Sequence, residues 1–145
     1  MKELQDSKRV LVVDDDIFMR MLLSLFLRRC GVTADVVSSV EQAILRLAAN
    51  SYSLLLVDGH LEDGTGADIA AFARRESHLA GVPIIAISGD TRKEHIQKLL
   101  AAGANQFIRK PVTGENIRHV LEYYSLVQPK TELLATQTVP TQEDS

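Results

Sequence analysis

Hydrophobic residues along this chain are gathered into short continuous runs, separated by longer stretches of mixed polarity. Three runs are apolar at almost every position, at 10–14 (VLVVD), 53–58 (SLLLVD) and 83–88 (PIIAIS), and weaker runs lie at 33–38 and 105–109. A strand with one wet face alternates in polarity, whereas an uninterrupted apolar run is typical of a parallel strand buried on both faces. The runs therefore predict five strands, of which the three strong ones are buried on both faces.

The stretches between the runs have the spacing of amphipathic helices. Helices are predicted at 16–30, 40–49, 66–78, 91–102 and 113–127. Candidate N-caps are Asp16, Ser39 and Thr113, and the predicted stops are Gly31, Gly103 and Pro129. Gln42, three residues after Ser39, completes a capping-box pattern. Short strands that alternate with helices indicate right-handed crossovers, and hence an α/β fold with a parallel sheet covered on both sides.

Composition and charge narrow the function without changing the fold. The 145 residues suit one domain, and 16 Lys and Arg against 19 Asp and Glu give a formal net charge of −3. No strong basic field favours nucleic acid or an anionic membrane surface as a partner. Cys30 is the sole cysteine, so a disulfide framework and a multi-cysteine metal site are excluded. Its apolar neighbourhood predicts a buried, inert thiol.

The two ends of the chain are predicted to lie outside the folded domain. Residues 1–7 form a short N-terminal extension, the domain spans 8–127, and 128–145 is a polar stretch without aromatic residues, which predicts a disordered tail. The N-terminus lacks the apolar core of a signal sequence, and no run reaches the roughly 18 apolar residues of a membrane span. We therefore expect a cytoplasmic protein without a membrane partner.

Residues that can carry chemistry follow four of the predicted strands. Asp14 and Asp15 end the first strand, Asp58 the third, Ser88 the fourth, and Lys110 the fifth. In an open α/β sheet, ligands bind beyond the carboxyl ends of the strands, near the point where the strand order reverses. Each residue alone suits an ordinary turn or loop end, but together they predict one site.

Three carboxylates in one pocket raise each other's pKa unless a cation neutralises them. Oxygen ligands suit a hard ion such as Mg²⁺, and zinc is not expected because the histidines are scattered through the sequence, at His60, His78, His95 and His119. A carboxylate, a metal ion, an ammonium group and a hydroxyl together are suited to moving a phosphoryl group. An aspartate in such a site can act as the nucleophile and form an acyl phosphate.

Four segments carry these residues in order: VLVVDDD, LLLVDGHLEDGTG, PIIAISGD and FIRKPV. In motif and spacing the chain resembles a receiver domain of the two-component response-regulator family, over about residues 8–127. The resemblance implies a flavodoxin-like, doubly wound sheet of five parallel strands in the order 2-1-3-4-5, flanked by five helices. It also implies a signalling phosphoacceptor that is not a turnover enzyme.

The resemblance implies specific roles for the acids. Asp58 would be the phosphoacceptor. Asp15, Asp58 and the backbone carbonyl of His60 would ligate Mg²⁺, and Asp14 would act through a bound water. Asp16 is left to cap the first helix.

The resemblance also implies a switch and partners. Lys110 would pair with a phosphoryl oxygen, Ser88 would swing toward the new phosphate, and Phe107 would follow by turning inward. The phosphodonor would be a histidine kinase or a histidine phosphotransfer protein. The downstream target would be another protein, contacted by the fourth helix, the fifth strand and the fifth helix.

The sequence departs from the family pattern around the acceptor. Family members often have Met-Pro where this chain has Leu61 and Glu62, and the loss of the proline predicts a looser loop. Phe107 has no hydroxyl, so an output that depends on a tyrosine hydrogen bond is excluded. His60 and Asp90 occupy positions that in this family tune the lifetime of the phosphoryl group.

The first helix has more apolar residues than one buried face requires. Met19, Leu22, Leu23, Phe26 and Cys30 share the predicted core face. Phe18, Met21 and Leu25 form a second stripe beside Asp15. We hypothesise that this stripe docks the helical phosphodonor, although scattered surface apolar residues are common.

Other interpretations remain open from the sequence. The chain could be a Mg²⁺-dependent phosphohydrolase that passes through an aspartyl phosphate, a pseudo-receiver that only binds partners, or a receiver module cut from a hybrid histidine kinase. Asp63-Gly64-Thr65 repeats part of the DxDGT phosphatase motif. Because this triplet lies in a glycine-rich loop and not at a strand end, we interpret it as chance.

Overall fold

The computed structural model describes residues 9–129. In chain order its elements are β1 (Arg9–Val13), α1 (Ile17–Arg29), β2 (Thr33–Val37), α2 (Val40–Ala49), β3 (Leu54–Asp58), α3 (Gly66–Arg75), β4 (Ile84–Ser88), α4 (Lys93–Ala102), β5 (Gln106–Arg109) and α5 (Gly114–Tyr123). The predicted extension at 1–7, and the predicted tail beyond residue 129, lie outside this range.

The five strands form one parallel sheet in the order β2-β1-β3-β4-β5. This is the strand order that was predicted. Val13 pairs with Val57, and Asp58 pairs with Ile87, so the carboxyl ends of β1, β3 and β4 lie side by side. The order reverses between β1 and β3, which places a crevice above the ends of these two strands.

Two apolar layers cover the sheet, one on each face. β3 and β4 are buried at all five of their positions, which confirms that these runs are strands buried on both sides. One layer packs α2, α3 and α4 on the sheet and includes Ala43, Leu55, Ile69 and Leu99. The other packs α1 and α5 and includes Leu23, Leu56 and Ile117. Burial of each large apolar side chain contributes about 1.5–3 kcal/mol, so the sheet is a firm base for the loops above it.

Helix starts follow the predicted caps closely. Asp16 Oδ1 accepts from Phe18 N–H at 3.0 Å, and Ser39 Oγ accepts from Gln42 N–H at 3.1 Å. The predicted capping box at Ser39 is wrong in one bond, because the Gln42 side chain accepts from Ser38 N–H. Thr113 caps α5 with a full capping box.

Two helices end earlier than predicted. The third was expected to reach residue 78 but stops at Arg75, because the Arg74 guanidinium binds the carbonyl oxygens of Leu79, Ala80 and Val82 and holds the chain in a turn. The fifth was expected to reach 127 and to be closed by Pro129. It ends at Tyr123, because Ser125 adopts a left-handed conformation (φ 63°) that returns Leu126 to the core.

The face of α1 was only partly predicted. Leu23 and Leu27 are its buried residues, and Leu27 was not expected there. Leu22, predicted to face the core, is 36% exposed, and Cys30 is half-buried although a buried thiol was predicted. In residues 9–129, no helix combines the length and the apolarity that crossing a membrane would require.

Candidate functional site

The predicted acids meet at the carboxyl ends of β1 and β3. Asp14, Asp15 and Asp58 each place a carboxylate oxygen within 4.8 Å of the others. Asp14 and Asp58 are buried, at 1% and 6% exposure, whereas Asp15 is exposed. Asp14 is fixed at both its backbone and its side chain, because its N–H donates to Val37 O at 3.2 Å and its Oδ1 accepts from Asp16 N–H at 2.9 Å. The three consecutive acids therefore separate into a buried one, an exposed one and a helix cap.

Lys110 supplies positive charge to this group, which we call the acid pocket (Asp14, Asp15, Asp58 and Lys110). Its Nζ lies 3.2 Å from Asp14 Oδ2 and 3.4 Å from Asp58 Oδ2. The backbone N–H of Lys110 donates to Ser88 O at 2.9 Å, which fixes the residue beside the end of β4. Burial lowers the pKa of Lys110, but the carboxylates of Asp58 and Asp14 outweigh this effect and raise it above its ordinary value.

One ammonium group does not fully compensate three carboxylates. Burial and the neighbouring Asp14 raise the pKa of Asp58 to about 6, although Lys110 and the backbone N–H of His60 act in the opposite direction. The His60 N–H donates to Asp58 Oδ1 at 3.3 Å, so the His60 backbone lies directly beside the Asp58 carboxylate. A pocket of oxygens with unmet negative charge fits a hard cation such as Mg²⁺.

A second cluster lies next to the acid pocket; the sequence had singled out His60 and Asp90, but not their contacts with each other and with His95. Two histidines that looked scattered are stacked, with the ring centroids of His60 and His95 4.2 Å apart and their planes at 11°. His60 Nε2 is 2.7 Å from Asp90 Oδ2, and His95 Nδ1 is 3.8 Å from the same oxygen. Ser88 Oγ accepts from Asp90 N–H at 3.1 Å and lies 3.2 Å from His95 Nε2. We call His60, Asp90 and His95 the imidazole cluster.

The imidazole cluster has the residue types of a metal site, with three potential ligand atoms within 4.8 Å. Its geometry does not favour that use. In nearly parallel rings each nitrogen lone pair lies in its own ring plane, so a shared ion would require one ring to turn. The Asp90 carboxylate is already bound by Arg92, with Nε 2.9 Å from Asp90 Oδ1 and Nη2 2.6 Å from Oδ2.

The negative charge of Asp90 in the imidazole cluster is compensated by hydrogen bonds from His60 and from the neighbouring Arg92. Hydrogen bonds from Arg92 and His60 hold the pKa of Asp90 well below its usual range. Burial and the neighbouring His60 lower the pKa of His95, which favours its neutral form.

A family model described as the response regulator receiver domain matches residues 10–122. The chain belongs to the response-regulator receiver family. The match spans every strand of the sheet except the first residue of β1, and it includes all of the acid pocket.

Relatives of this receiver differ widely in length. The two-component response regulator ORR12 of rice (Oryza sativa subsp. japonica) is 34% identical over 118 residues, which are 81% of this chain and 98% of that protein. The sensory/regulatory protein RpfC of Xanthomonas campestris pv. campestris is 31% identical over 117 residues, 79% of this chain but 16% of that protein. The receiver fold thus occurs both nearly alone and inside much longer proteins.

Among solved structures, the receiver domain of the sensor histidine kinase PA1611 from Pseudomonas aeruginosa PAO1 has a TM-score of 0.76 and 23% identity. The alignment covers 81% of this chain and 97% of that one, whose crystal holds a magnesium ion in the active-site cleft. The likeness supports the same fold.

The loop after Asp58 is held by contacts on both sides. Residues His60–Leu61 pair with Gly64–Thr65 in a short antiparallel ladder, and the Leu61 side chain is buried. Asp63 accepts from Val40 N–H at 2.9 Å and from Glu41 N–H at 3.1 Å, so it binds the N-terminus of α2. Asp63 therefore has a structural role in the DGT triplet, and these contacts restrain a loop that was expected to be looser without its proline.

The predicted switch residues of the receiver lie on neighbouring strands. Ser88 is buried at the end of β4, at 1% exposure. Phe107, in the middle of β5, is half-buried and packs against the apolar layer under α4. β4 and β5 pair with Ala86 opposite Phe107, so the two switch residues lie two positions apart along adjacent strands.

The predicted docking stripe is partly exposed. Phe18 and Met21 are 77% and 62% exposed, whereas Leu25 is half-buried. Ile17 and Leu22, at 55% and 36%, extend the apolar surface and were not predicted to do so. We call Ile17, Phe18, Met21 and Leu22 the α1 patch. It lies in the first half of α1, which begins four residues after the end of β1.

Proposed function

We propose that this receiver accepts a phosphoryl group on Asp58 from a phosphohistidine of a histidine kinase or a histidine phosphotransfer protein. The observation that carries the proposal is the position of the buried Asp58 carboxylate. It lies at a strand end, with Lys110 Nζ 3.4 Å away and two further carboxylates in reach. An ordinary turn aspartate does not need such surroundings.

Transfer begins with an Asp58 carboxylate oxygen that attacks the phosphorus atom. The new P–O bond forms as the P–N bond to the donor imidazole breaks, and the electron pair stays on the imidazole nitrogen. Lys110 holds a positive charge beside Asp58 and Asp14, where a phosphoryl oxygen becomes an additional anionic partner. Asp58 must be ionised to attack; burial and Asp14 raise its pKa to about 6 without metal, so a cation in the pocket would help to keep it ionised.

Asp15, Asp58 and the backbone carbonyl of His60 would hold Mg²⁺ in this pocket, and Asp14 would act through a water. Bound there, it would neutralise charge on the phosphoryl oxygens. Asp14 is held by Asp16 N–H and by Lys110, which suits a residue that acts at a distance from the ion.

The deciding experiment is stoichiometric labelling with acetyl phosphate and Mg²⁺. We expect one phosphoryl group per chain, lost in Asp58→Asn and retained in the matched control Asp63→Asn, since Asp63 only caps α2. Steady release of phosphate from small phosphomonoesters would instead indicate a phosphohydrolase. Failure both to bind Mg²⁺ and to take up label would indicate a pseudo-receiver.

Output is proposed to occur through protein contact at α4, β5 and α5, with Ser88 moving toward the phosphoryl group and Phe107 turning inward. The chain would therefore act as a relay intermediate or a diffusible regulator, without binding nucleic acid itself.

The phosphodonor is proposed to dock on the α1 patch together with Leu25. Changing Phe18 and Leu25 to Ser should slow transfer from the partner while labelling by acetyl phosphate continues at the wild-type rate. Leu45→Ser is a matched control, since Leu45 is 66% exposed but lies on α2. Equal losses with both donors would contradict the docking role.

A further inference from the structure

The hydroxyl of Ser88 is held by a residue from α4. Ser88 Oγ accepts from Asp90 N–H at 3.1 Å and lies 3.2 Å from His95 Nε2. Ser88 and His95 are buried, at 1% and 9% exposure. The hydrogen bonds of this hydroxyl that the structure describes go to these two groups, and none goes to Asp58 or Lys110. In this form the switch hydroxyl is therefore bound to α4 and not to the acid pocket.

The backbone beside the acceptor makes room for this contact. A Cβ atom on Gly59 would lie 2.6 Å from His95 Nε2 and 2.9 Å from both Cβ and Oγ of Ser88. The absence of a side chain at residue 59 lets the imidazole and the hydroxyl meet directly above the residue that follows Asp58.

The outer side of the contact is closed by the rest of the imidazole cluster. The His60 ring stacks on His95 and is itself bound to Asp90, whose backbone N–H donates to Ser88. His95 is thus held in place by the stacked ring and by the Gly59 backbone.

We infer that His95 is a positioning residue that holds the Ser88 hydroxyl on α4 while the receiver is unphosphorylated. The inference rests on the proposed function, in which a phosphoryl group on Asp58 draws the same hydroxyl toward itself. A hydroxyl drawn to that group would move away from His95 Nε2, which now lies 3.2 Å from it. The phosphoryl group and the imidazole therefore compete for Ser88, and His95 sets how readily the switch turns.

The competition also links the site to α4. His95 is the third residue of α4, and its ring is buried against the site. Loss of the Ser88 contact leaves a buried imidazole nitrogen without its partner, which favours a shift of the first turn of α4. The signal thus passes to the proposed output surface through one side chain.

The test compares His95→Phe with His95→Gln by measuring how tightly beryllofluoride, a phosphoryl mimic, binds in the presence of Mg²⁺. Phenylalanine keeps a ring that stacks on His60 but removes the hydrogen bond, so we expect it to tighten binding by about threefold to tenfold. Glutamine offers a polar group near the position of Nε2 and should restore binding close to the wild-type value. If His95→Phe does not fold, His95→Leu takes its place.

The same pair is measured in a Ser88→Ala background, where no hydroxyl remains to be held. There His95→Phe should change binding by less than about twofold, and Mg²⁺ affinity should match the parent chain. Unchanged or weaker binding in His95→Phe, or an effect that persists without Ser88, would overturn the inference. A wild-type chain that binds no beryllofluoride would overturn the proposed function itself, which separates the two failures.

Discussion

The acid pocket and the imidazole cluster lie side by side and use similar residue types, yet their charges are balanced in opposite ways. In the acid pocket, burial and Asp14 raise the pKa of Asp58 to about 6, despite Lys110. In the imidazole cluster, Arg92 and His60 hold the pKa of Asp90 well below its usual range. Both groups bring three potential metal ligands within 4.8 Å.

The comparison teaches that clusters of similar residue types can differ in how much of their charge is compensated. The acid pocket has more negative charge than its own lysine compensates, which fits the cation that the proposed function requires there. The imidazole cluster has hydrogen-bond partners for its carboxylate and a stacked partner for each ring. It is better suited to positioning neighbours such as Ser88 than to binding an ion.

The largest expected effect comes from removing the cation of the acid pocket. Lys110→Met should slow phosphorylation by acetyl phosphate by about 100-fold or more, because a fixed positive charge beside the reacting oxygens is lost. Stopped-flow or labelling rates at saturating Mg²⁺ measure this. A rate within a few fold of wild type would show that the charge of Lys110 is dispensable. The proposed difference between the acid pocket and the imidazole cluster would then be wrong.

An intermediate effect is expected in how the free energy of unfolding of the metal-free protein depends on pH. The pKa of Asp58 is raised by folding from an ordinary 3.8 to about 6, so the protonated form favours the folded state. This contribution is fully present below about pH 4 and is lost as the pH rises through 6. Lowering the pH from 7 to 5 in EDTA should therefore stabilise the wild type relative to Asp58→Asn, by at most about 1 kcal/mol after allowance for solvent screening.

Chemical denaturation of both proteins at the two pH values isolates the contribution of Asp58, since other groups titrate in both. Adding Mg²⁺ at pH 7 should make the wild type more stable than Asp58→Asn, because the ion binds the carboxylates of the folded wild type. An equal pH response of wild type and Asp58→Asn would mean that the acid pocket is already neutralised.

The smallest effect is expected from removing Arg92, the cation that binds Asp90 of the imidazole cluster. Arg92 is exposed, and His60 still contacts Asp90 when the guanidinium is removed. Arg92→Met should change the rate of labelling by acetyl phosphate by less than about threefold. A loss as large as that of Lys110→Met would show that both clusters take part in the phosphoryl chemistry.

The acid pocket could be predicted from the sequence because the fold brings strand ends together. Asp14, Asp58 and Lys110 each follow an apolar run, and a parallel sheet brings such positions to one edge. The strand order was predicted for a different reason, through the family resemblance. The site roles of these residues stay predictions until labelling and metal binding are measured.

The imidazole cluster could not be predicted in the same way. His60 lies in a loop, Asp90 follows β4 and His95 is in α4, so no shared periodicity connects them. The end of α3 was missed for a similar reason, since Arg74 in its last turn binds Gly103 O, 29 residues further along the chain. Long-range side-chain contacts of this kind leave no local pattern.

The bond between Asp63 and α2 has a consequence for engineering. The stretch from Asp58 to Asp63 is anchored at one end by a strand and at the other by the first turn of a helix that comes earlier in the chain. This loop is therefore not an independent module. A graft of residues 58–63 into another receiver would need to carry the start of α2 with it. A residue inserted in this stretch would alter both the loop and that helix.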